Sequence, residues 1–212
     1  MRVIRDYIKV FIPLIIVEFS AIISGFWMLG NYEIKRFNAW PISEWLINYQ
    51  AGFVRRGLFG EVLHKINFDE GSILLLNKLV YGFFCIYILI VISVYLFSKV
   101  NSTKVLVLML LIPGGIFHMA IGAIFYTRKE ILFLIHFGII CLLTMLVRSC
   151  KYKDKKKWIW ITGIHIIVGG IILTLIHEPY LFMAFPITAL LLLISYFENS
   201  SNKQIKSILI CL

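Results

Sequence analysis

The sequence lacks the short motifs that identify many soluble enzymes. It contains no P-loop, no dinucleotide-binding glycine pattern, no zinc-ligand spacing and no nucleophile elbow. It also lacks internal repeats and linkers rich in glycine, serine or proline. No pattern therefore divides the chain, and we expect one domain covering residues 1–212.

Cysteine is sparse, with four residues, and three of them lie inside apolar runs. No pair has the spacing of metal ligands. We interpret these residues as small apolar side chains within helices. The sequence predicts no disulfide framework and no cofactor, and a divalent metal is the one addition it leaves open.

Acidic residues are about half as frequent as basic ones, with 11 Asp and Glu against 21 Lys and Arg, which gives a net charge of +10. Such a charge can indicate nucleic-acid binding, but here the positive side chains are scattered between apolar segments rather than gathered on one stripe. Membrane topology and contacts to anionic lipids explain that distribution better. We therefore expect no nucleic-acid partner.

Apolar residues are abundant: 60% of the chain is hydrophobic and the mean hydropathy is +0.91. Soluble domains are about 45–50% apolar, so the sequence predicts an all-α transmembrane bundle. Apolar segments lie near residues 10–30, 73–98, 105–125, 131–147, 158–176 and 180–197. A further apolar run begins at Ile208 and stops at Leu212. We expect six or seven spans and interpret the chain as the N-terminal part of a longer protein.

The distribution of lysine and arginine predicts a cytoplasmic N-terminus. In that orientation the inner segments hold 13 of the 21 basic residues and the outer segments hold 8. The short loop at residues 148–157 is the most basic of the inner segments. The first apolar run is long enough to span a bilayer, so we expect an uncleaved span rather than a signal peptide. These features predict a multi-pass protein of the inner (plasma) membrane.

The first outer connection, residues 31–72, is too long for a simple turn. Two sets of apolar residues in it have the spacing of one helix face, namely Phe59, Val62, Leu63 and Ile66, and Trp45, Tyr49 and Phe53. They predict one or two amphipathic helices at the outer membrane interface. We expect Gly52, Gly57 and Gly60 to interrupt these helices or to pack closely.

Three charged clusters fall in connections that this topology places on the outer side. They are Glu44 with Arg55, Arg56 and Glu61; Arg128 with Lys129 and Glu130; and His177 with Glu178. An arginine at the membrane surface can hold a phosphate through two hydrogen bonds. We therefore predict that substrate phosphate is bound by Arg55, Arg56, Arg128 and Lys129. The secondary polar groups are Glu61, Glu130, His177 and Glu178. The alternative is that these cations contact ordinary lipid headgroups or pair with the acidic residues beside them.

A second interpretation places the functional groups deeper in the membrane. Glu18 lies near the middle of the first span, and the break at Pro113-Gly114-Gly115 in the third span is followed by His118. Ionisable groups and broken helices inside a membrane are typical of transport pathways. We interpret His136 and His165 as polar contacts within the bundle.

The segment from Trp45 to Glu61 carries a resemblance to known proteins. Its Asn48-Tyr49, Gly52-Phe53-Val54-Arg55-Arg56-Gly57 and Gly60-Glu61 resemble multi-pass membrane proteins of bacterial surface-polysaccharide assembly, of the polymerase or glycosyltransferase type. The layout also resembles the GT-C glycosyltransferases. These have a long first outer loop with interface helices and act on polyprenyl-phosphate substrates outside the membrane.

The resemblance implies that sugar units are transferred or polymerised from a polyprenyl-phosphate-linked donor. It implies as partners the lipid bilayer, the lipid-linked sugar and other polysaccharide-assembly proteins. GT-C enzymes carry an acidic base or metal ligand in the first outer loop, and Glu44 and Glu33 are the residues that match. The Asp-x-Asp type of pair is missing from this sequence. The alternative function is transport or flipping of an anionic lipid-linked substrate or solute, using Glu18 and His118.

Overall fold

A computed structural model describes residues 2–33, 40–54, 56–66, 73–97, 128–149 and 152–198. In these residues the chain forms helices and no strands, which confirms the predicted all-helical bundle. The helices are α1 (Arg2–Glu33), α2 (Trp40–Leu46), α3 (Leu58–Lys65), α4 (Ile73–Phe97), α5 (Glu130–Ser149), α6 (Tyr152–Ile176), α7 (Tyr180–Met183) and α8 (Phe185–Glu198).

Most of the predicted spans coincide with apolar helices. Among the described residues, three helices are long and apolar enough to cross a membrane, namely Leu75–Phe97, Glu130–Ser149 and Lys155–Ile176. Shorter apolar helices cover Ile12–Trp27 and Tyr180–Ile194. The segment predicted at 180–197 is divided at Ala184, where α7 ends. The span predicted at 105–125, with its Pro113 break and His118, lies outside the described residues.

The helices pack against one another as a bundle. Helix α4 contacts both α1 and α5, α5 contacts α6, and α8 contacts both α5 and α6. In α1 the buried residues Leu14, Val17 and Ala21 recur at intervals of three and four, whereas Phe19 and Ile23 are exposed. That spacing is one helix face, and the exposed apolar faces are those that would contact lipid.

Trp45 packs the first connection against the helices of the bundle. Its side chain is fully buried, its ring meets Phe59 edge-on with centroids 4.8 Å apart, and it stacks on Phe83 at 6.0 Å. Buried residues of α1, α4 and α5 complete the same cluster. Because a large aromatic side chain dominates the energy of such a contact, Trp45 holds α2 in place.

One of the two predicted apolar stripes of this connection does not form in the structure. Helix α2 ends at Leu46, and the Gly52 N–H donates to the carbonyl oxygen of Tyr49 at 3.0 Å in a turn with a Gly52 φ of +112°. Tyr49 and Phe53 stack on each other with centroids 5.4 Å apart. The prediction that they share a helix face with Trp45 was wrong, because a turn that glycine permits ends the helix first.

Helix α3 carries the other predicted stripe, with Phe59, Val62 and Leu63 in the helix and Ile66 directly after it. Leu63 is buried, but Val62 and Ile66 are exposed. Gly60 is buried as well, and a Cβ there would collide with the carbonyl oxygen of Ile47. A glycine, rather than an apolar stripe, therefore makes the closest contact between α3 and the preceding segment.

We expect Gly60→Ala to lower the thermal stability of the detergent-solubilised protein. The obstacle to the new Cβ is the Ile47 backbone, which cannot rotate away as a flexible side chain could. Overpacking of this kind costs about 1–3 kcal/mol. Gly82→Ala in α4 is the matched control, since nothing lies within 4 Å of its Cβ and alanine favours a helix over glycine. Melting followed by circular dichroism measures both variants. A Gly60→Ala protein as stable as the parent would contradict the close packing.

Candidate functional site

Arg56 joins two carboxylates that are distant in the sequence. Its Nη1 lies 3.5 Å from Oε1 of Glu44, and its Nη2 donates to Oε1 of Glu178 at 3.1 Å. Glu44 belongs to α2, Arg56 precedes α3, and Glu178 lies between α6 and α7. The planar guanidinium suits this bridge because it presents several donors in a rigid fork. Glu44 is buried, whereas the Arg56 side chain is 42% exposed.

Lys129, immediately before α5, adjoins this bridge and is fully buried. Its Nζ donates to the carbonyl oxygens of Arg56 at 3.4 Å and Ile176 at 3.2 Å. It also lies 6.0 Å from the ring centroid of Trp45. The last carbonyls of a helix have no intrahelical partner, and the carbonyl of Ile176 at the end of α6 is one of these. Lys129 therefore ties together three separate segments of the chain.

The surroundings of Lys129 lower the pKa of its ammonium group. Burial lowers the pKa of Lys129 to about 8, because desolvation disfavours the ammonium form. The carboxylates of Glu44 and Glu130 raise the pKa, while the positive charge of Arg56 lowers it further. In the folded protein this side chain is therefore charged at neutral pH and loses its proton near pH 8.

Glu130 connects the second and third predicted clusters. Its Oε1 lies 3.3 Å from Nε of Arg128 and 3.7 Å from Nε2 of His177. His177 is buried, and its ring stacks on Phe133 with centroids 5.6 Å apart. The buried Nδ1 of His177 has no hydrogen-bond partner in the described part of the chain. Nε2 of His177 therefore faces the Glu130 carboxylate, and Nδ1 makes no hydrogen bond to the described residues.

These contacts bring the three predicted clusters together where α5 begins and α6 ends. We refer to the assembled residues as the charged cluster: Glu44, Arg56, Arg128, Lys129, Glu130, His177 and Glu178. It contains three carboxylates and, besides His177, three basic groups that are charged at neutral pH. Their formal charges cancel, so each charge in the cluster has an opposite charge available nearby.

The remaining predicted residues lie elsewhere or outside the described part. Glu61 accepts the backbone N–H of Tyr49 at 3.1 Å and pairs with Lys65 at 3.6 Å. The carboxylates that contact Arg56 are Glu44 and Glu178 rather than Glu61. Arg55 is outside the described residues, and so is the side chain of Glu33, whose backbone ends α1.

Tyr180 is a supporting residue that no sequence pattern singled out. Its buried hydroxyl donates to Nδ1 of His136 at 2.7 Å, and Nε2 of His136 donates to the carbonyl oxygen of His165 at 3.4 Å. The prediction that His136 makes polar contacts within the bundle is confirmed. The bond anchors α7 directly after Glu178 and thereby supports the turn that carries it.

Comparison with protein families identifies the chain. A family model described as uncharacterised membrane protein Rv1490 matches residues 11–211. The chain belongs to this family. No curated protein and no solved structure matches the chain.

Membership of the Rv1490 family establishes that this is a membrane protein, as the composition predicts. The apolar faces of its helices are therefore surfaces for lipid. Within the residues that the structure covers, no three His, Cys, Asp or Glu side chains are grouped to hold a metal ion. The chemistry available in the described part of the charged cluster is that of carboxylates, cations and one imidazole.

We expect Lys129 to make the stability of the protein depend on pH in the alkaline range. Between the folded pKa of about 8 and the ordinary value of 10.5, the unfolded chain holds a proton that the folded protein has released. The free energy of unfolding should therefore rise with pH across this window, by up to about 3 kcal/mol. Denaturation in detergent between pH 7.5 and 10 measures the effect.

Two variants test the assignment of this pH dependence. Lys129→Met should remove the rise, because the titrating group is gone. Lys157→Met replaces an exposed lysine at the start of α6 and should leave the rise unchanged. An undiminished rise in Lys129→Met would show that another group is responsible.

Proposed function

We propose that this protein acts in cell-surface polysaccharide biosynthesis, transferring or polymerising sugar units from a polyprenyl-phosphate-linked donor. The observation that carries the proposal is the Arg56 guanidinium, which contacts carboxylates from two distant segments. The resemblance of residues 45–61 to polysaccharide polymerases and glycosyltransferases supports the same activity. In this proposal the charged cluster faces the outer side of the inner membrane and the N-terminus is cytoplasmic.

The proposed phosphate site consists of the basic side chains of the charged cluster. The side chains of Arg56 and Arg128 are 42% and 35% exposed, so both can contact a ligand without unfolding. Lys129 lies behind Arg56 and adds positive charge from a buried position. Arg55 is the third arginine of this proposed site, and Lys129 acts on the phosphate through its charge. A polyprenyl phosphate presents its charge at the membrane surface, at the depth expected for these residues.

A phosphate can bind here only by exchange, because the charges of the cluster already cancel. Glu178 is the carboxylate most easily displaced from Arg56, since its side chain is 34% exposed and that of Glu44 is 8% exposed. Replacing Glu178 by phosphate keeps the charge of Arg56 compensated throughout. The proposed cycle therefore alternates the guanidinium between Glu178 and the substrate phosphate.

Glu44 is the proposed base, with Glu33 as the second candidate. The carboxylate removes the proton from the acceptor hydroxyl as that oxygen forms a bond to the anomeric carbon of the donor sugar. The bond between that carbon and the phosphate oxygen breaks, and the polyprenyl phosphate leaves with the electron pair. Arg56 and Arg128 stabilise the negative charge on the leaving group. Glu61, Glu130, His177 and Glu178 act as secondary polar groups.

The competing proposal is transport or flipping of an anionic substrate through the membrane interior. Its main described residue is Glu18, whose Oε1 accepts the S–H of Cys85 at 3.2 Å and whose buried Oε2 has no hydrogen-bond partner in the described residues. Helix α4 thus provides a hydrogen bond to one of the two carboxylate oxygens of Glu18. Transport would require Glu18 and leave Glu44 dispensable, whereas sugar transfer requires the reverse.

We expect Arg56→Gln to reduce the surface-glycan product by about a hundredfold, the usual effect of losing one group that stabilises transition-state charge. Glu44→Gln should reduce it by a similar factor, and Glu18→Gln should leave it unchanged. The measurement is the surface-glycan profile of cells in which the variant replaces the parent protein. Lys65→Gln is the matched control, because Lys65 also pairs with a carboxylate but is 73% exposed and such pairs contribute little.

The Glu178→Gln variant tests whether the substrate phosphate displaces Glu178 from Arg56. Because it removes the competitor for Arg56, it should tighten binding of farnesyl phosphate by about two- to fivefold. Isothermal titration calorimetry of the detergent-solubilised protein measures this affinity. Weaker binding of farnesyl phosphate by Glu178→Gln would contradict the exchange.

In the glycan assay, loss of surface glycan in Glu18→Gln but not in Arg56→Gln would favour transport.

A further inference from the structure

A groove between α1 and α4 lies apart from the charged cluster. Its volume is about 270 Å³, and it is lined by Ile22, Gly25, Phe26, Asn77, Lys78 and Tyr81. Phe83, through which α4 stacks on Trp45, does not line it. The groove therefore uses a part of α4 that the proposed sugar-transfer site does not.

One polar atom of the groove lining has an unmet hydrogen bond. The Oδ1 atom of Asn77 is buried and has no hydrogen-bond partner in the described part of the chain. A buried acceptor without a partner is destabilising, because it has lost its hydrogen bonds to water and gained none in the protein. A ligand that brings a donor to Asn77 would remove this cost.

The depth of the groove matches the headgroup region of a bilayer. Lys78 is five residues beyond Ile73, the first residue of α4 and of its apolar stretch. At a rise of about 1.5 Å per residue, Lys78 is about 7.5 Å along the helix from that end. Its side chain is exposed, so its ammonium can reach a phosphate at the surface. Ile22 and Phe26 provide the apolar wall on the α1 side.

We propose that this groove binds one phospholipid whose headgroup carries a hydrogen-bond donor. The Lys78 ammonium contacts the lipid phosphate, and the Asn77 Oδ1 accepts a hydrogen bond from the headgroup. An acyl chain lies against Ile22 and Phe26. The ammonium of phosphatidylethanolamine and the hydroxyls of phosphatidylglycerol both provide the donor, whereas the quaternary ammonium of phosphatidylcholine has none. The site does not depend on the function proposed for the charged cluster.

Native mass spectrometry of the full chain, released from nanodiscs of a single phospholipid, tests the site. Nanodiscs of phosphatidylethanolamine, phosphatidylglycerol and phosphatidylcholine form the three arms. We expect one phospholipid to remain bound in at least one of the first two arms and to be lost in the third. The arm with the stronger retention identifies the headgroup. Equal retention of phosphatidylcholine would overturn the proposal.

Substitutions in the groove locate the binding. Lys78→Met and Asn77→Leu should each weaken retention about tenfold, because each removes one hydrogen bond to a charged or polar headgroup. Lys78→Arg keeps the positive charge and should retain the lipid, which separates loss of the site from loss of the fold. Lys156→Met, at an exposed lysine of α6, is the matched control. Undiminished retention in Lys78→Met, or an equal loss in Lys156→Met, would overturn the proposal.

Discussion

The buried ammonium of Lys129 is the interaction on which the charged end of the bundle depends. Its bonds to the carbonyl oxygens of Arg56 and Ile176 join the first connection to the ends of α5 and α6. A buried cation is tolerated only when its hydrogen bonds and its charge are both compensated. Glu44 and Glu130 provide the compensating charge, so the same residues that surround Lys129 also position the groups around Arg56.

This compensation constrains what the charged cluster can do. A site with surplus positive charge would hold a phosphate simply by adding it, but here the described charges cancel. In the proposed function, an anionic ligand therefore replaces an existing carboxylate. Arg56 and Glu178 are the most exposed pair in the bridge, and Glu44 is the most buried member. The bridge thus has an exposed side at Glu178 and a buried side at Glu44.

Sequence patterns predicted the spans well because apolar content over about 20 residues is a strong signal. They also placed the charged residues in connections that alternate along the chain, and the structure brings these residues together. The stripe through Trp45, Tyr49 and Phe53 failed because helix periodicity says nothing about where a helix ends. Helix α2 ends before the turn at Gly52, and Trp45 then packs on the bundle without Tyr49 and Phe53.

Composition and hydropathy by themselves determined that this chain is an all-helical membrane protein with most of its charges between the apolar segments. Those properties follow from the local residue content, and they do not depend on which helices pack together. Only the tertiary structure decided that Arg56 meets Glu178 rather than Glu61, and that Tyr180 anchors the turn through His136. The residues of such pairs are separated by whole helices, so their meeting depends on helix packing, which spacing along the chain does not encode.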